Sequence, residues 1–381
     1  MDHRCSPWLE HKYRAFQHPG RNDTVAGIGI FTASQAHYAG GNVRVLGIES
    51  SCDETAVGIV EDGHTLMANV IASQVEIHAR YGGVVPEVAS RQHVLQIVPT
   101  LEAALAEANL DLGDIDAVAV TYAPGLIGAL MVGLNAAKAL AFAKEKPLLG
   151  VHHLEGHVYA TWLEEDDPSS DPGFPLLCLI ASGAHTDLVL MRGHSDYQVL
   201  GRTRDDAAGE AFDKAARLLG LGFPGGPAIQ RAASSLKSDI TFPRAWLGDS
   251  LDFSFSGLKT AVLHKAQERG IYPPPPGGPS PDDVANMAAA FQEAVVDVMV
   301  NKALKAVERY NAKGLLLGGG VAANTRLREE ATRRSPVPVL VPSPRLCTDN
   351  GAMIAAAAYF RLQRGESHGL DLDAIPSLSM V

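Results

Sequence analysis

The sequence predicts an α/β protein built from two duplicated domains around one nucleotide cleft. Two segments, residues 44–60 and 175–190, share one design: an apolar strand, a polar turn and a second apolar strand. Glycine-rich turns lead from other strands into helices, and the chain has 37 glycines. At 381 residues the chain is too long for one compact core, which favours two domains.

Composition limits the classes of protein and of partner. The formal net charge of −11 repels phosphate, so a nucleic-acid contact needs a local basic patch or a basic partner. The most apolar stretch, residues 126–149, is interrupted by Asn135 and by charged residues, so we expect no membrane partner. The 4 cysteines have no CxxC spacing, which indicates reduced thiols and a cytoplasmic protein.

The pattern divides the chain into an extension and two domains. Residues 1–42 are polar and His-rich and lack the apolar core of a secretory signal, so we expect a disordered extension. We expect an N-terminal domain at residues 43–150 together with about residues 345–381, and a second domain at residues 151–344. Residues 164–173 and 273–283 have the composition of linkers or surface loops.

Strand-to-helix turns follow both β-turn-β segments. The apolar residues 117–121 lead through residues 124–128 into a helix predicted at residues 129–143. Residues 314–317 lead through three glycines into a helix predicted from about residue 324 to 334. Glycines let the backbone approach a ligand, and a helix N-terminus favours an anion. Together with the polar turns, these features favour a nucleotide site over tight packing alone.

A long helix is predicted at residues 283–310. Apolar side chains recur there every four residues, which places them on one face of a helix. We assign this face to the core and give it no chemistry. The face comprises Met287, Phe291, Val295, Met299, Ala303 and Val307.

A pair of histidines is the first sign of a chemical site. His153 and His157 are four residues apart, so on a helix their imidazoles lie on one face and can share a metal ion. Asp349, in a polar loop, offers the carboxylate that commonly completes such a site. His152 points away from this face and is expected to be structural. By itself, His-x-x-x-His spacing is equally compatible with ordinary core or surface histidines.

Seven motifs are specific in combination: GIESSCDET (47–55), YGGVVPE (81–87), HHLEGH (152–157), DDAAGEAFDK (205–214), DFSFSGLK (252–259), GGGVAAN (318–324) and CTDNG (347–351). As a set they resemble the tRNA N6-adenosine threonylcarbamoyltransferases, the bacterial TsaD, YgjD or Gcp group, formerly described as O-sialoglycoprotein endopeptidases. The resemblance extends over about residues 43–361. It implies the actin-like fold of sugar kinases and Hsp70 chaperones.

The resemblance implies a transferase reaction. Members of the family move a threonylcarbamoyl group from threonylcarbamoyl-AMP to N6 of adenosine 37 in tRNAs that read codons beginning with A, and AMP leaves. It implies one divalent metal ion, Fe²⁺ first and Zn²⁺ as the other option, held by His153, His157 and Asp349. Asp53 and Glu54 are implied as the charged catalytic residues. The residues implied in binding the nucleotide and acyl group are Ile180, Ala181, Ser182, Gly183, Ala184, Asp213, Gly226 and Asn324.

The resemblance also implies macromolecular partners. These are the tRNA substrate, a paralogous actin-like subunit of the TsaB type and a small P-loop ATPase of the TsaE type. The acidic balance of the chain fits a need for help in holding tRNA. Lys259, Arg326 and Arg328 are candidates for contacts with tRNA phosphates, although exposed basic side chains are usually only solvated.

Other functions compete with this one. A metalloprotease of the His-Glu-x-x-His kind is disfavoured, because Glu155 lies two residues from each histidine and so faces away from the metal. An actin-like ATPase or sugar kinase would share the fold but needs neither the histidine pair nor Asp349. A non-catalytic paralogue would be expected to have lost the metal ligands, which this chain keeps.

Two positions depart from the family pattern. Ala123 and Ala184 stand where relatives commonly have glycine. A left-handed backbone at position 184 would cost alanine roughly 1 kcal/mol, and its methyl group would crowd a ligand on the loop. We therefore predict a negative φ at Ala184, with its Cβ directed away from the ligand.

Overall fold

The computed structural model describes residues 42–163, 172–233 and 238–380. The extension predicted at residues 1–42 and the linker predicted at residues 164–173 therefore lie almost entirely outside the described residues. Within those ranges the chain forms two five-stranded mixed sheets with helices packed against them.

The first sheet has the strand order β3-β2-β1-β4-β5. β1 pairs antiparallel with β2 and parallel with β4, and β2 pairs antiparallel with β3. Nearly every residue of β1 and β2 is buried and most of these residues are apolar, as expected for strands covered on both faces. The strands are β1 (Arg44–Glu49), β2 (Glu54–Glu61), β3 (Thr65–Ser73), β4 (Ala117–Ala123) and β5 (Leu148–His152).

The second sheet repeats this connectivity. Its order is β10-β9-β6-β7-β8, with β6 antiparallel to β7 and parallel to β9. Each sheet thus begins with an antiparallel β-turn-β unit and grows by parallel strands on the other side. The duplication predicted from the two β-turn-β segments is confirmed. The strands are β6 (Leu176–Ala181), β7 (Thr186–Gly193), β8 (Asp196–Arg202), β9 (Gly314–Gly318) and β10 (Val339–Leu340).

The helices include those that the strand-to-helix turns predicted, with bounds that differ by a few residues. Short 3-10 turns lie at Leu112–Asp114, Ala160–Leu163 and Gly320–Ala323. The α-helices are α1 (Val75–Ala79), α2 (Pro86–Ala108), α3 (Ile127–Lys144), α4 (His153–Tyr159), α5 (Ala208–Leu218), α6 (Gly225–Ala233), α7 (Ser256–Glu268), α8 (Pro281–Tyr310), α9 (Thr325–Arg334), α10 (Pro344–Cys347) and α11 (Gly351–Gln363).

Helix α8 is the long helix predicted from its apolar stripe. Ser280 accepts a hydrogen bond from Asp283 N, and Pro281 occupies the first turn, so the start is well capped. All six stripe residues are buried, and Met287, Phe291 and Val295 are fully inaccessible to solvent. The assignment of this face to the core is confirmed.

Helix α11 lies directly against the backbone of the first sheet. A Cβ built on Gly58 would lie 2.1 Å from the nitrogen of Ala352, and one on Gly47 would lie 2.3 Å from the oxygen of Gly351. Glycine at these positions is therefore a condition for the close packing. The contact matters for function because Asp349 lies just before α11.

Helix α3 is the one helix of the described residues that is long and apolar enough to cross a membrane. It packs against β4 and α2, and it buries Ala129, Leu130 and Leu134 along one face. Such one-sided burial is typical of a helix on the surface of a globular domain. A single helix of this kind is weak support for a membrane span.

Candidate functional site

A deep cleft of about 1260 Å³ lies between the two sheets. Its walls come from the loops that follow the strands, as is usual for ligand clefts in α/β folds. The turn after β1 supplies Asp53 and Glu54, and the β6–β7 loop supplies Ser182, Gly183 and Ala184. Further predicted residues on the wall are His153, Asp213, Gly226, Asn324 and Asp349.

The histidine helix α4 begins where β5 ends. His152 caps it, because its Nδ1 accepts a hydrogen bond from Leu154 N at 3.3 Å while Nε2 donates to the oxygen of Leu378 at 3.1 Å. Burial lowers the pKa of His152 to about 4, which keeps the ring neutral and able to accept. His152 therefore holds the start of the helix, as expected for a structural neighbour of the pair.

His153 and Asp349 line the cleft, and the fully buried His157 lies next to both. Asp349 Oδ1 lies 3.5 Å from His153 Nε2 and 3.3 Å from His157 Nε2. One ligand atom from each of the three residues lies within 4.8 Å of the others. Two atoms bound to one ion at about 2.1 Å in tetrahedral geometry are about 3.4 Å apart, so these separations fit a shared metal ion.

The hydrogen bonding of His157 also fits a metal ligand. The ring is completely buried; within the described residues its Nδ1 has no hydrogen-bond partner, while its Nε2 faces Asp349 Oδ1 at 3.3 Å. A buried imidazole with incomplete hydrogen bonding is costly, and coordination of a metal ion through Nε2 would offset part of that cost. Two nitrogens and one carboxylate oxygen suit both Fe²⁺ and Zn²⁺, and three protein ligands leave positions open for substrate.

Charges across this group shift the pKa values in opposite directions. Burial lowers the pKa of His153, but the carboxylates of Asp349 and Glu49 outweigh that effect and raise it to about 9. Burial raises the pKa of Asp349, but His153 and His157 outweigh it and lower the pKa to about 2. The site thus has a strong preference for positive charge, which a divalent cation would satisfy.

The turn after β1 carries two carboxylates into the cleft. Glu54 Oε1 accepts from Ser73 Oγ at 2.8 Å, while its Oε2 is buried without a partner among the described residues. Burial raises the pKa of Glu54 to about 8 and also raises the pKa of Asp53. A carboxyl group that titrates near neutral pH is suited to moving a proton.

His93 of α2 fixes the position of this turn through two contacts of its ring. Its Nε2 lies 3.0 Å from the oxygen of Cys52 and its Nδ1 lies 2.8 Å from Thr55 Oγ1. Burial lowers the pKa of His93, so the ring is neutral and can donate to one partner while it accepts from the other. The position of the two carboxylates therefore depends on a helix that lies outside the cleft.

The β6–β7 loop is a tight turn at the mouth of the cleft. Ser182 N donates to the oxygen of His185 at 2.8 Å, and His185 N donates to Ser182 Oγ at 3.2 Å. Ala184 is exposed, lines the cleft and does not have a positive φ, so that part of the expectation for this position is confirmed.

Two predicted ligand-binding residues do not reach the cleft. Ile180 and Ala181 are the last residues of β6, where they are 0% and 1% exposed. Their side chains pack in the hydrophobic cores on either side of the second sheet. Any contact of these two residues with a ligand would therefore have to come from their backbone. Their role in substrate binding stays a prediction.

Asp213, Gly226 and Asn324 lie on the wall that the second sheet contributes. Asp213 Oδ1 accepts from Gly225 N at 2.7 Å, which ties helix α5 to the start of α6. Asn324 Oδ1 accepts from Leu327 N at 3.0 Å and so caps α9. Its amide nitrogen donates to Gln292 at 2.8 Å, so most of the hydrogen-bonding capacity of Asn324 is used within the protein.

The candidates for tRNA contact are largely occupied by internal partners. Lys259 binds Asp206 at 3.2 Å, and Arg326 pairs with Glu293 and Glu330. Arg328 donates to the oxygens of Ala322 and Pro342. Contacts within the protein therefore account for the positions of these three side chains, and none of them requires a bound nucleic acid.

Glu155 faces away from the metal group, as the helical spacing predicted. It is completely buried and accepts two hydrogen bonds from Arg361 of α11, at 2.6 and 2.9 Å. Tyr197 of β8 donates to it at 3.2 Å. The carboxylate therefore binds α4 to both halves of the molecule and could not serve as a base beside an ion held by the two histidines.

Sequence reasoning missed three parts of the site. Glu49 contacts His153 directly, and His185 lines the cleft with a pKa lowered to about 4 by burial and by neighbouring histidines. The tail at residues 376–380 forms one wall, and Ser379 accepts a hydrogen bond from Arg202 at 2.9 Å. The only available signals were the place of Glu49 in the motif at residues 47–55 and that of His185 in the second β-turn-β segment; the tail carried none.

Comparison with known proteins decides the family. The family model for tRNA N6-adenosine threonylcarbamoyltransferases matches residues 65–356. A protein of that name from Thermomicrobium roseum is 56% identical over 353 residues, which cover 88% of this chain and 97% of the relative. This chain belongs to the tRNA N6-adenosine threonylcarbamoyltransferase family. A Bacillus cereus relative of the same name is 53% identical over 347 residues, covering 89% of this chain and 97% of the relative.

Solved structures confirm the actin-like fold. HypF from T. kodakarensis matches with a TM-score of 0.56 at 15% identity, over 85% of this chain and 48% of HypF. Component A of (R)-2-hydroxyglutaryl-CoA dehydratase from Acidaminococcus fermentans matches with a TM-score of 0.50 at 13% identity, over 84% of this chain and 99% of that protein. At such low identities these matches carry the fold alone. The family resemblance drawn from the motifs is confirmed, and the family is one of acyltransferases.

Proposed function

We propose that this chain transfers the threonylcarbamoyl group from threonylcarbamoyl-AMP to N6 of adenosine 37 in tRNAs that read ANN codons, with release of AMP. The observation that carries the proposal is the group of His153, His157 and Asp349 at a cleft large enough for a nucleotide. Family membership supports the reaction class, and the readings as a sugar kinase or metalloprotease have no comparable support.

We propose that these three residues hold one divalent ion, Fe²⁺ first and Zn²⁺ as the other option. When bound, the ion would act as a Lewis acid toward oxygens of the donor. The chain itself supplies the positions: α4 presents both imidazoles, and the loop before α11 presents the carboxylate.

The second half of the cleft is proposed to bind the adenylate. The Ser182–Ala184 loop offers a hydroxyl and backbone N–H groups to phosphate or acyl oxygens. Asp213 uses one oxygen on Gly225, so its other oxygen would meet a ribose hydroxyl. Gly226 leaves open space, with no atom within 4 Å of where a side chain would begin. Asn324 is proposed to contact the nucleotide with its remaining N–H.

Asp53 and Glu54 are proposed to act on the incoming amine. The adenine N6 amine is a weak nucleophile and must lose a proton after it attacks the carbamoyl carbon. Glu54 can take that proton, because it lines the cleft, has an oxygen without a partner and has a pKa of about 8. Asp53, beside it, adds negative charge that would orient the amine.

Partner subunits are proposed on the same basis as the reaction: an actin-like paralogue of the TsaB type and a P-loop ATPase of the TsaE type. Helices α2 and α3 pack together and leave large apolar side chains exposed on their outer surface, which supports a partner there. We also propose that the protein acts in the cytoplasm, where tRNA is found. The exposed side chains are Val94, Leu95, Val98, Ile127 and Met131.

Reconstitution tests the function. The purified chain would be combined with both partners, the adenylate-forming enzyme, threonine, bicarbonate, ATP and unmodified tRNA, and nucleosides would be measured by mass spectrometry. We expect N6-threonylcarbamoyladenosine with the wild-type chain and none with His157→Ala. His64→Ala, an exposed histidine in the β2–β3 turn, should retain full activity. Failure of the wild-type chain with all other components active would refute the proposal.

A further inference from the structure

Glu49 is the last residue of β1 and is completely buried behind the metal group. Its Oε1 accepts from Ser51 N at 2.6 Å. Its Oε2 accepts from Thr121 Oγ1 at 2.5 Å and lies 3.0 Å from Nδ1 of His153. Both oxygens are therefore held by donors on three different elements, and the carboxylate has a fixed position.

The imidazole of His153 bridges this carboxylate and the metal group. Its Nδ1 faces Glu49, and Ser51 Oγ is also within 3.2 Å. Its Nε2 faces Asp349 at 3.5 Å. A neutral imidazole that donates its Nδ1–H to a carboxylate has its lone pair on Nε2, which is the nitrogen directed at the proposed ion.

We infer that Glu49 is a positioning residue for the metal site, which holds His153 in the Nδ1–H tautomer and fixes its ring plane. The inference rests on the proposed metal site. Glu49 is not itself a ligand, because it lies on the opposite side of the ring from Asp349 and its oxygens already have partners. Carboxylates that accept from a ligating histidine commonly orient it and increase its basicity.

The two histidines differ in this respect. Within the described residues, Nδ1 of His157 has no hydrogen-bond partner, whereas Nδ1 of His153 has Glu49. On its Nδ1 side the fully buried ring of His157 is held by packing, and its Nε2 faces Asp349 at 3.3 Å. Of the two imidazoles, His153 is the one whose metal-binding nitrogen is selected by a hydrogen bond, so removal of Glu49 should affect His153 selectively.

The Glu49→Gln variant tests the inference most directly, because its amide reverses the direction of the hydrogen bond to His153. Ser51 N–H can only donate, so the amide oxygen must take the place of Oε1. The amide NH₂ then faces Nδ1 of His153 and favours the tautomer with the proton on Nε2, which blocks metal binding. We expect the affinity for Zn²⁺, measured by chelator competition on the purified whole chain, to fall roughly 10- to 100-fold.

The tautomer can be observed without any activity assay. In the zinc-loaded wild-type chain labelled with ¹⁵N-histidine, long-range ¹H–¹⁵N spectra should show His153 protonated at Nδ1 and bound to zinc through Nε2. The resonance is identified by its loss in His153→Gln. In metal-free Glu49→Gln the proton should move to Nε2. If that variant does not fold, the wild-type spectrum still decides, because zinc on Nδ1 of His153 would overturn the inference.

Glu330→Gln is the control. Glu330 is also buried, but it lies on α9, and its carboxylate pairs with Arg326 and Arg333 rather than with any proposed metal ligand. Its zinc affinity should stay within about twofold of the wild type, whatever the loss of stability. If both variants lose affinity equally, or if Glu49→Gln binds as tightly as the wild type, Glu49 has no positioning role. If the wild-type chain binds no divalent metal at all, the proposed metal site itself fails.

Discussion

The packing of α11 on the first sheet predicts that Gly58→Ala will damage both stability and the metal site. A methyl group on Gly58 would lie 2.1 Å from Ala352 N and 2.5 Å from Ala352 Cα. An ordinary contact begins at 3.4 Å, so α11 and β2 would have to separate by about 1.3 Å. The clash is with backbone atoms, so no change of side-chain rotamer can relieve it.

The displacement would reach Asp349, the proposed metal ligand, because the loop before α11 is tied to the helix. Asn350 Oδ1 accepts from Met353 N at 2.9 Å, and its amide donates to the oxygen of Thr348 at 2.8 Å. Asp349 lies between these anchors and must move with them. Metal ligands tolerate errors of only about 0.2 Å, so a shift on the scale of 1 Å should weaken the site severely.

We therefore expect Gly58→Ala to lower the free energy of unfolding by about 3 kcal/mol, the upper end for overpacked cores. Zinc affinity should fall at least about tenfold. Denaturant unfolding and chelator competition on the same preparations measure the two effects. The control is Gly193→Ala at the end of β7, where no atom lies within 4 Å of the new methyl group. Stability and affinity that match the control would refute the packing argument; lost stability with unchanged affinity would refute only the link to Asp349.

Three further predictions concern the cleft. The pKa of Glu54 is raised from 4.5 to about 8, so its ionised carboxylate destabilises the fold increasingly as pH rises from about 5 to 8. Glu54→Gln should therefore be more stable than the wild type by a few kcal/mol at pH 9, at roughly 1.4 kcal/mol per pKa unit, and no more stable at pH 4. Thermal unfolding measured across this pH range checks both values. Asn324→Asp should keep the cap of α9 but place a negative charge near the phosphate. Calorimetry should show AMP binding weakened about tenfold, a loss of about 1.4 kcal/mol in binding free energy. Unchanged affinity would leave Asn324 with the capping role alone. Because Ala184 already avoids positive φ, Ala184→Gly should leave AMP affinity within about twofold and lower the free energy of unfolding by up to about 1 kcal/mol. A large gain in AMP affinity would show instead that the methyl group obstructs ligand binding at the loop.

Local patterns predicted the fold well. The two β-turn-β segments were visible because each strand is apolar over its whole length and each turn is polar, and the sheets repeat the same order. The stripe on α8 was visible because a 3.6-residue period needs no tertiary context. The proposed metal group combined one local signal, the spacing of His153 and His157, with Asp349, a carboxylate nearly two hundred positions away that ligand chemistry suggested and the family resemblance supported.

The parts that sequence reasoning missed depend on long-range contacts. Glu49 meets Thr121 and His153 across 72 and 104 positions, and neither spacing has a periodicity that could reveal it. The tail wall depends on Arg202 and Ser379, which are 177 positions apart. The burial of the Ile180 and Ala181 side chains was also not visible in the sequence: the β-turn-β pattern marks the end of a strand, but only the structure shows where the strand stops and the loop begins.

The arrangement of the cleft also explains why the distance between its two walls must stay fixed. The proposed metal ligands come from α4 and from the loop before α11, which packs on the first sheet, whereas the proposed nucleotide contacts come from the second. A donor that spans both walls reacts only if the distance between them matches its length, and a misplacement of about 1 Å can cost a hundredfold in rate. Glu155 joins α4 to Arg361 on one side and Tyr197 on the other, and Arg217 of α5 reaches across the cleft to the oxygen of Gly82. These contacts make the spacing of the walls a property of the folded chain, present before any donor binds.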